Sequence, residues 1–324
     1  MFLFLHLIAQ DGVAASSSIN ITWTGGEPFV TLRDMASYYG MTYTCPNSKT
    51  VELKSRWSRL TFSTQSRKFQ INGVWVWLHE GLRSLRGEWL MTRTDAQRLI
   101  DPVLRSSRYL KKGVPRIVML DAGHGGKDTG TVGNRNVQEK LVALDVAKRV
   151  RKHLKKLGVN AVLTRDKDKY VSLPKRVNMA NRRNTDLFVS IHFNSSKPSA
   201  KGVETFILTS PGFQSTNTST RKRMKKLRYP GTPFDHSSTV AGYAIHKKLI
   251  SYTKAPDRGL KEARFYVLKN VKCPAVLVEC GFLSNSQEQK KVLDSKYRDT
   301  IAHGIAYGIF NYVNECRRTS LCKP

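Results

Sequence analysis

Beyond Val114, two runs of the chain are apolar without interruption, Ile117 to Leu120 and Ala275 to Val278, and a third, Leu187 to Ile191, is broken only by Ser190. A strand of that kind has no face to show to water, which is the mark of a sheet covered by helices on both sides. Helical patterns lie between the runs, as parallel neighbours require. Asn136 to Leu157 repeats apolar residues at helical spacing (Leu141, Leu144, Ala147, Val150, Leu154, Leu157) and stops at Gly158. Ser172 caps a second helix that carries Pro174 in its first turn and runs to about Arg183. A last helix, over about Tyr297 to Asn314, turns Ile301, Ile305, Ile309 and Tyr312 inward. Ala161 to Leu163 and Val203 to Leu208 supply further strands. The expected fold of residues 115–316 is therefore α/β, a twisted, mostly parallel sheet flanked by helices.

The chain ahead of this region has a different texture. Pro28 to Gly40 reads as a short strand running into a helix that glycine ends. From Thr50 to Leu78 apolar residues alternate (Val51, Leu53, Leu60, Phe62, Phe69, Ile71, Val74, Val76, Leu78), and Asn72-Gly73 marks a two-residue hairpin. Residues 18–104 are expected to form a small α+β accessory domain. Its Val30-Thr-Leu-Arg-Asp-Met-Ala36 pattern followed by a meander resembles the copper-amine-oxidase N-terminal-like domains, a name that implies no copper here. Residues 105–114 are polar and basic and read as a linker; residues 317–324 read as a tail. At the start, apolar Met1 to Ala9 precedes small residues at Val13 and Ala15, the spacing of a signal-peptidase site without the usual basic n-region. Residues 1–17 are expected to be the remnant of an export leader, which places the protein in the cell envelope, periplasmic or secreted. Met1 to Ala9 is far too short to span a bilayer, so no transmembrane span is expected.

Charge narrows the partners. Lys and Arg total 55 against 24 Asp and Glu, a net charge of +31. A field of that sign suits nucleic acid, an acidic membrane surface or an anionic cell-wall polymer. The basic runs come with no nucleic-acid recognition motif, so a specific nucleic-acid partner is not expected. Among the basic runs, Arg221 to Arg228 lies inside a long connection, Ser210 to Ser237, and reads either as a solvated, variable loop or as an electrostatic grip on an anionic polymer. Five cysteines without any Cys-x-x-Cys exclude zinc-finger spacing. Cys316 and Cys322 are spaced to close a small terminal loop in an oxidising compartment, and the odd count leaves at least one thiol unpaired.

Four polar signals stand where a strand ends or a helix opens. Asp121-Ala122-Gly123-His124-Gly125-Gly126 follows the first apolar run, with glycines that turn the backbone and leave the imidazole uncovered. Glu139 opens the next helix, Ser190-Ile191-His192-Phe193-Asn194 closes the third strand, and Val278-Glu279-Cys280-Gly281-Phe282 closes the late buried one. Ligands of open α/β sheets gather at the carboxyl ends of strands, so the four can converge. Two histidines and a carboxylate with an open fourth position make a catalytic zinc set. Glu279 is the hardest to dismiss, because a carboxylate ending a buried strand must be paired, metal-bound or catalytic. His153, His246 and His303 fall on helical stretches and His236 in a polar loop, where bland roles are expected.

With these motifs in order, residues 115–314 resemble the zinc-dependent N-acetylmuramoyl-L-alanine amidases of the bacterial cell wall, the amidase-3 type. The likeness is carried by Ile117 to Asp128, Gln138-Glu139-Lys140, Leu163 to Asp168 with Arg176 and Ala180-Asn181, Leu187 to Asn194, Arg258-Gly259-Leu260 with Phe265 to Leu268, and Pro274 to Asn285. The resemblance implies one Zn2+ per chain on His124, Glu139 and His192, and Glu279 as the catalytic carboxylate. It implies peptidoglycan as substrate, cleaved at the amide between N-acetylmuramic acid and L-alanine, and leaves room for an activator protein. Asn194, two residues past a ligand, is expected to meet substrate or oxyanion, or else to fix its own loop. Phe193, Ser195 and Cys280 depart from the residues usual in the family. Two other readings stand beside this one: a zinc peptidase cutting stem-peptide bonds, and a non-catalytic wall-binding protein of the same fold.

Overall fold

The computed structural model describes residues 18–110, 113–218 and 224–321. The leader over 1–17, Lys111 and Lys112 of the linker, Arg221 to Arg223 of the basic run and Cys322 lie outside the described residues. The chain separates into two compact units, one ending at Ile100 and one beginning at Asp101.

The first unit holds β1 (Thr22–Thr24), β2 (Glu27–Thr31), α1 (Leu32–Tyr39), β3 (Thr42–Asn47), β4 (Thr50–Lys54), β5 (Arg59–Ser63), β6 (Lys68–Ile71), β7 (Val74–Trp77), β8 (Arg83–Leu85), β9 (Glu88–Thr92) and α2 (Arg93–Asp95). Thr31 caps α1 by accepting from the Asp34 amide at 2.9 Å, and Gly40 ends it in the left-handed conformation. Strands β3 to β7 form an antiparallel meander, and β1, β2, β9 and β8 form a second small sheet. The alternating residues Val51, Leu53, Leu60, Phe62, Phe69, Ile71, Val74 and Val76 all face its core, where Phe62 and Phe69 stack at 5.0 Å. Asn72 and Gly73 both take positive φ, as a tight two-residue turn between Ile71 and Val74 demands.

The second unit begins earlier than the sequence suggested. It contains α3 (Asp101–Leu104), β10 (Val118–Ala122), α4 (Glu139–Lys156), β11 (Ala161–Leu163), α5 (Leu173–Arg182), β12 (Leu187–Asn194), β13 (Val203–Leu208), α6 (Asp235–Thr253), β14 (Asp257–Ala263), α7 (Tyr266–Asn270), β15 (Ala275–Phe282), α8 (Ser286–Leu293) and α9 (Ser295–Leu321). The stretch read as a linker docks within this unit: Ser106 Oγ donates to Glu315 at 2.6 Å, Ser237 Oγ donates to the Tyr109 carbonyl at 3.2 Å, and Leu110 is buried. The stretch read as a tail continues α9 to Leu321, because Cys316 and Thr319 extend its buried stripe.

The sheet order is β11-β10-β12-β15-β13-β14, and only the β15–β13 pairing is antiparallel. One sheet face carries Met119, Phe188 and Leu277 into a cluster with Val177 of α5 and Val267 and Leu268 of α7. Helices α4, α6 and α9 pack together and against the sheet. Helix α9 lies against α6 through Gly304 and Gly308, where an added Cβ would stand 2.9 Å from Leu249 Cα and 2.4 Å from Ile245 Cα.

Two readings of α4 need correction. It starts at Glu139, not Asn136, since Arg135 and Asn136 take positive φ that a helix cannot continue. Leu141 is 49% exposed. At about 100° per residue it stands roughly opposite Glu139, and Glu139 points inward. Strand β14 escaped the sequence altogether: its Lys261 and Glu262 are polar yet buried, because each finds a partner.

Candidate active site

Side chains two apart on a strand share a face, and that period builds the site. On β10 the sequence Met119, Asp121 continues the apolar face into a carboxylate; on β12 it is Phe188, Ser190, His192; on β15 it is Leu277, Glu279. Register sets Asp121 beside Ser190, Ser190 beside Leu277 and His192 beside Glu279, while antiparallel β13 puts Glu204 on the other side of Glu279. The site therefore lies at the carboxyl ends of the parallel strands.

His124 follows β10 on a turn, with φ of 59°. Its Nε2 lies 3.2 Å from Glu139 Oε1, and its Nδ1 lies 2.9 Å from Asp128 Oδ1. His192 Nδ1 lies 2.9 Å from the same Glu139 oxygen, which also accepts from the Phe193 amide at 3.0 Å. The amide of Thr131 donates to Glu139 Oε2 at 2.8 Å. One ligand atom from each of His124, Glu139 and His192 falls within 4.8 Å of the others, and this is the only such metal-capable group found among the described residues. Two glycines make room for it. A Cβ on Gly123 would come within 2.4 Å of the His192 ring, and one on Gly130 within 2.6 Å of Glu139 Oε2. Burial raises the proton affinity of Glu139, but the hydrogen bonds and charge of the two histidines win and hold its carboxyl far below the usual range.

Glu279 has the opposite character. Its Oε2 is shut from solvent without a hydrogen-bond partner. Burial, then the charges of Glu139 and Glu204, push its carboxyl well above the ordinary carboxylate value. It shares with His124 and His192 a cavity of about 380 Å³, walled further by Tyr170, Leu173, Phe265 and Tyr266.

Asn194 is not brought into this cavity wall. Its Nδ2 donates to Glu204 at 3.2 Å and its Oδ1 accepts from the Ser195 amide at 2.7 Å, so each end of the amide makes a bond within the protein that helps fix this loop. Glu204 is also held by Arg258 and by Lys261 Nζ at 2.8 Å. Two of the other histidines differ from expectation. His246 is fully buried on α6, between Thr205 Oγ1 and Asp257 Oδ1 at 2.8 Å each, and His236 stands in the first turn of α6 stacked on Tyr109.

Sequence reasoning passed over the strut beneath the site. Asp121 accepts from Arg176 Nη1 at 2.6 Å, Thr164 Oγ1 at 2.7 Å and Ser190 Oγ at 2.8 Å; Arg176 Nη2 donates to the His124 carbonyl at 2.6 Å. The signal was available, because a carboxylate at the end of an apolar strand needs partners. Burial alone would raise the Asp121 carboxyl, yet Arg176 above all holds it below the usual value. A depressed carboxyl stabilises the fold above its unfolded value, about 3.9, and that contribution fades as pH falls through the lower native one. Asp121→Asn should therefore cost about 3–5 kcal/mol near neutrality by leaving Arg176 buried and unpaired. It should also flatten the loss of stability below about pH 4, which denaturant unfolding across pH will check.

A profile of the N-acetylmuramoyl-L-alanine amidases matches residues 118–311. The chain belongs to that family. It is thereby an enzyme of the peptidoglycan amidase class, acting on an amide of the cell-wall polymer. The amidase AmiA of Salmonella typhimurium is 36% identical over 228 residues, covering 62% of this chain and 78% of AmiA. The catalytic domain of the CwlV amidase from Bacillus (Paenibacillus) polymyxa superposes with a TM-score of 0.52 at 33% identity, over 61% of this chain and 98% of that one. The CwlD amidase from Clostridioides difficile, solved in complex with the GerS lipoprotein, gives 0.51 at 27% identity, over 61% and 98%. The amidase profile lies wholly inside the second unit. No helix among the described residues is long and apolar enough to cross a membrane.

Proposed function

We propose that this amidase hydrolyses the bond between N-acetylmuramic acid and L-alanine, with one zinc ion held by His124, Glu139 and His192 and with Glu279 as general base. The observation that carries the reading is a convergent His–Glu–His set whose two histidines share one cavity with Glu279, a half-buried carboxylate whose Oε2 has no hydrogen-bond partner. Two imidazoles and a carboxylate suit zinc and leave a place for water. A zinc ion bound there supplies Lewis acidity, lowering the pKa of water toward ~7 and polarising the scissile carbonyl.

The chain's own residues do the rest. Asp128 accepts from His124 Nδ1, which fixes the tautomer that presents Nε2. Arg176 ties the His124 carbonyl to Asp121 and so fixes the turn. The raised proton affinity of Glu279 suits it to take a proton from the attacking water and return it to the departing amine of the stem peptide. Asn194 and the cations Arg258 and Lys261 keep Glu204 in place beside it.

The surrounding assignments follow the same reading. The first unit serves as an accessory module of the envelope enzyme, residues 1–17 as its export leader, and Arg221 to Arg228 as a grip on anionic wall strands. An activator protein is part of the proposal, by analogy with the CwlD–GerS complex.

Incubation with peptidoglycan, with and without chelator, followed by mass analysis of the products tests the reaction. Free stem peptides beginning with L-alanine are expected, lost with chelator and regained with zinc. Peptides that begin at a later residue would make the protein a stem-peptide peptidase and sink the assignment.

A further inference from the structure

We propose that Lys127 and Lys269 select stem peptides whose residue after L-alanine carries a free carboxylate. The proposal rests on the amidase reading and adds the substrate feature that the mouth of the site recognises.

The mouth is built from two segments, the loop leading into α5 and the start of α7. Tyr170, Leu173, Phe265 and Tyr266 line it, and all four are exposed. Apolar surface gathered at one opening marks a place where a ligand lies. Each segment has an ammonium over a ring. Lys127 Nζ stands 5.0 Å from the Tyr170 centroid, and Lys269 Nζ stands 5.8 Å from Tyr266 and 5.5 Å from Tyr229.

Other cations around the site are already committed. Arg176 pairs with Asp121, Lys140 with Asp168, and Arg258 and Lys261 with Glu204. Arg165 donates to the carbonyls of Ala122, Gly123 and Lys140. Lys127 and Lys269 have no carboxylate partner among the described residues.

The backbone beside Lys127 is also held in position. Gly126 beside it donates to Asp168 Oδ1 at 2.7 Å and approaches the Tyr170 backbone so closely that a Cβ would stand 2.6 Å from its nitrogen. The reacting amide is placed by His124 and Glu279 within the same cavity, and each further stem residue extends the chain by at most about 3.3–3.6 Å. The residue after L-alanine thus comes within reach of the mouth, where a carboxylate gains a charge-assisted hydrogen bond that a carboxamide does not.

The test uses zinc-loaded full-length enzyme and two soluble muropeptides that differ only in carboxylate or carboxamide at that residue. The carboxylate form is expected to show a KM about 1.5- to fivefold lower, the range of an exposed ion pair. In the Lys127→Gln, Lys269→Gln double variant the two KM values are expected to converge. A second measurement needs no variant: the wild-type preference should shrink as salt rises. Equal KM values in the wild type, a preference that survives in the double variant, or one indifferent to salt would each overturn the proposal. Cleavage of both substrates without preference removes this proposal alone, whereas cleavage of neither removes the amidase reading and this proposal with it.

Discussion

Glu279→Gln should lower turnover by roughly 10² to 10⁴-fold, the usual contribution of a positioned general base, while zinc stays bound. The substitution keeps shape and removes the ionisable proton site. It should leave the fold intact, because Glu279 Oε2 holds no hydrogen bond that would be lost. Removing a half-buried carboxyl flanked by Glu139 and Glu204 also relieves like-charge repulsion. Metal analysis beside single-turnover cleavage of a soluble muropeptide reads the two effects separately. Zinc loss equal to that of a ligand mutant would show that Glu279 belongs to the metal set.

His124→Ala and His192→Ala carry the second large expected effect. Changing a residue that merely orients a ligand costs ~10- to 100-fold in metal affinity or activity, and loss of a ligand itself should exceed that. Competition with a fluorescent zinc chelator should show losses in both variants beyond that range. Asp128→Asn, which alters only the partner of His124 Nδ1, should fall within it. A double histidine variant that still binds one zinc per chain and cleaves substrate would refute the ligand set.

Much of this geometry was readable because strand periodicity is local. His192 and Glu279 end apolar runs, so their sequence neighbours alone announce where they sit, and the structure does bring His124, Glu139 and His192 together. What stayed hidden depends on partners distant in sequence. Strand β14 reads as polar, and it is buried only because Lys261 meets Glu204 and Glu262 meets Ser210. Asn194 was open to two roles because its outcome turns on Glu204, ten residues on and on another strand. Leu141 was misplaced for a different reason: apolar spacing gives a stripe, but Glu139 fixes which way the helix faces. Residues 105–109 read as a linker because they are polar, yet in the structure they dock through hydrogen bonds on α6 and α9, with Leu110 buried beside them.

The close seating of α9 on α6 bears on how this enzyme can be made tougher. Helix propensity ranks alanine about 1 kcal/mol above glycine in a helix interior, so Gly304 and Gly308 look like obvious candidates for stabilising replacement. Here that rule inverts. The atoms that a new methyl group would strike are backbone atoms of Ile245 and Leu249, which cannot swing aside as a side chain would. Helix α6 would have to retreat, and it packs beneath β13 and β15, the strands that carry Glu204 and Glu279. An engineering programme for heat resistance should leave this pair alone and spend its substitutions on the outward side of α4, around Leu141.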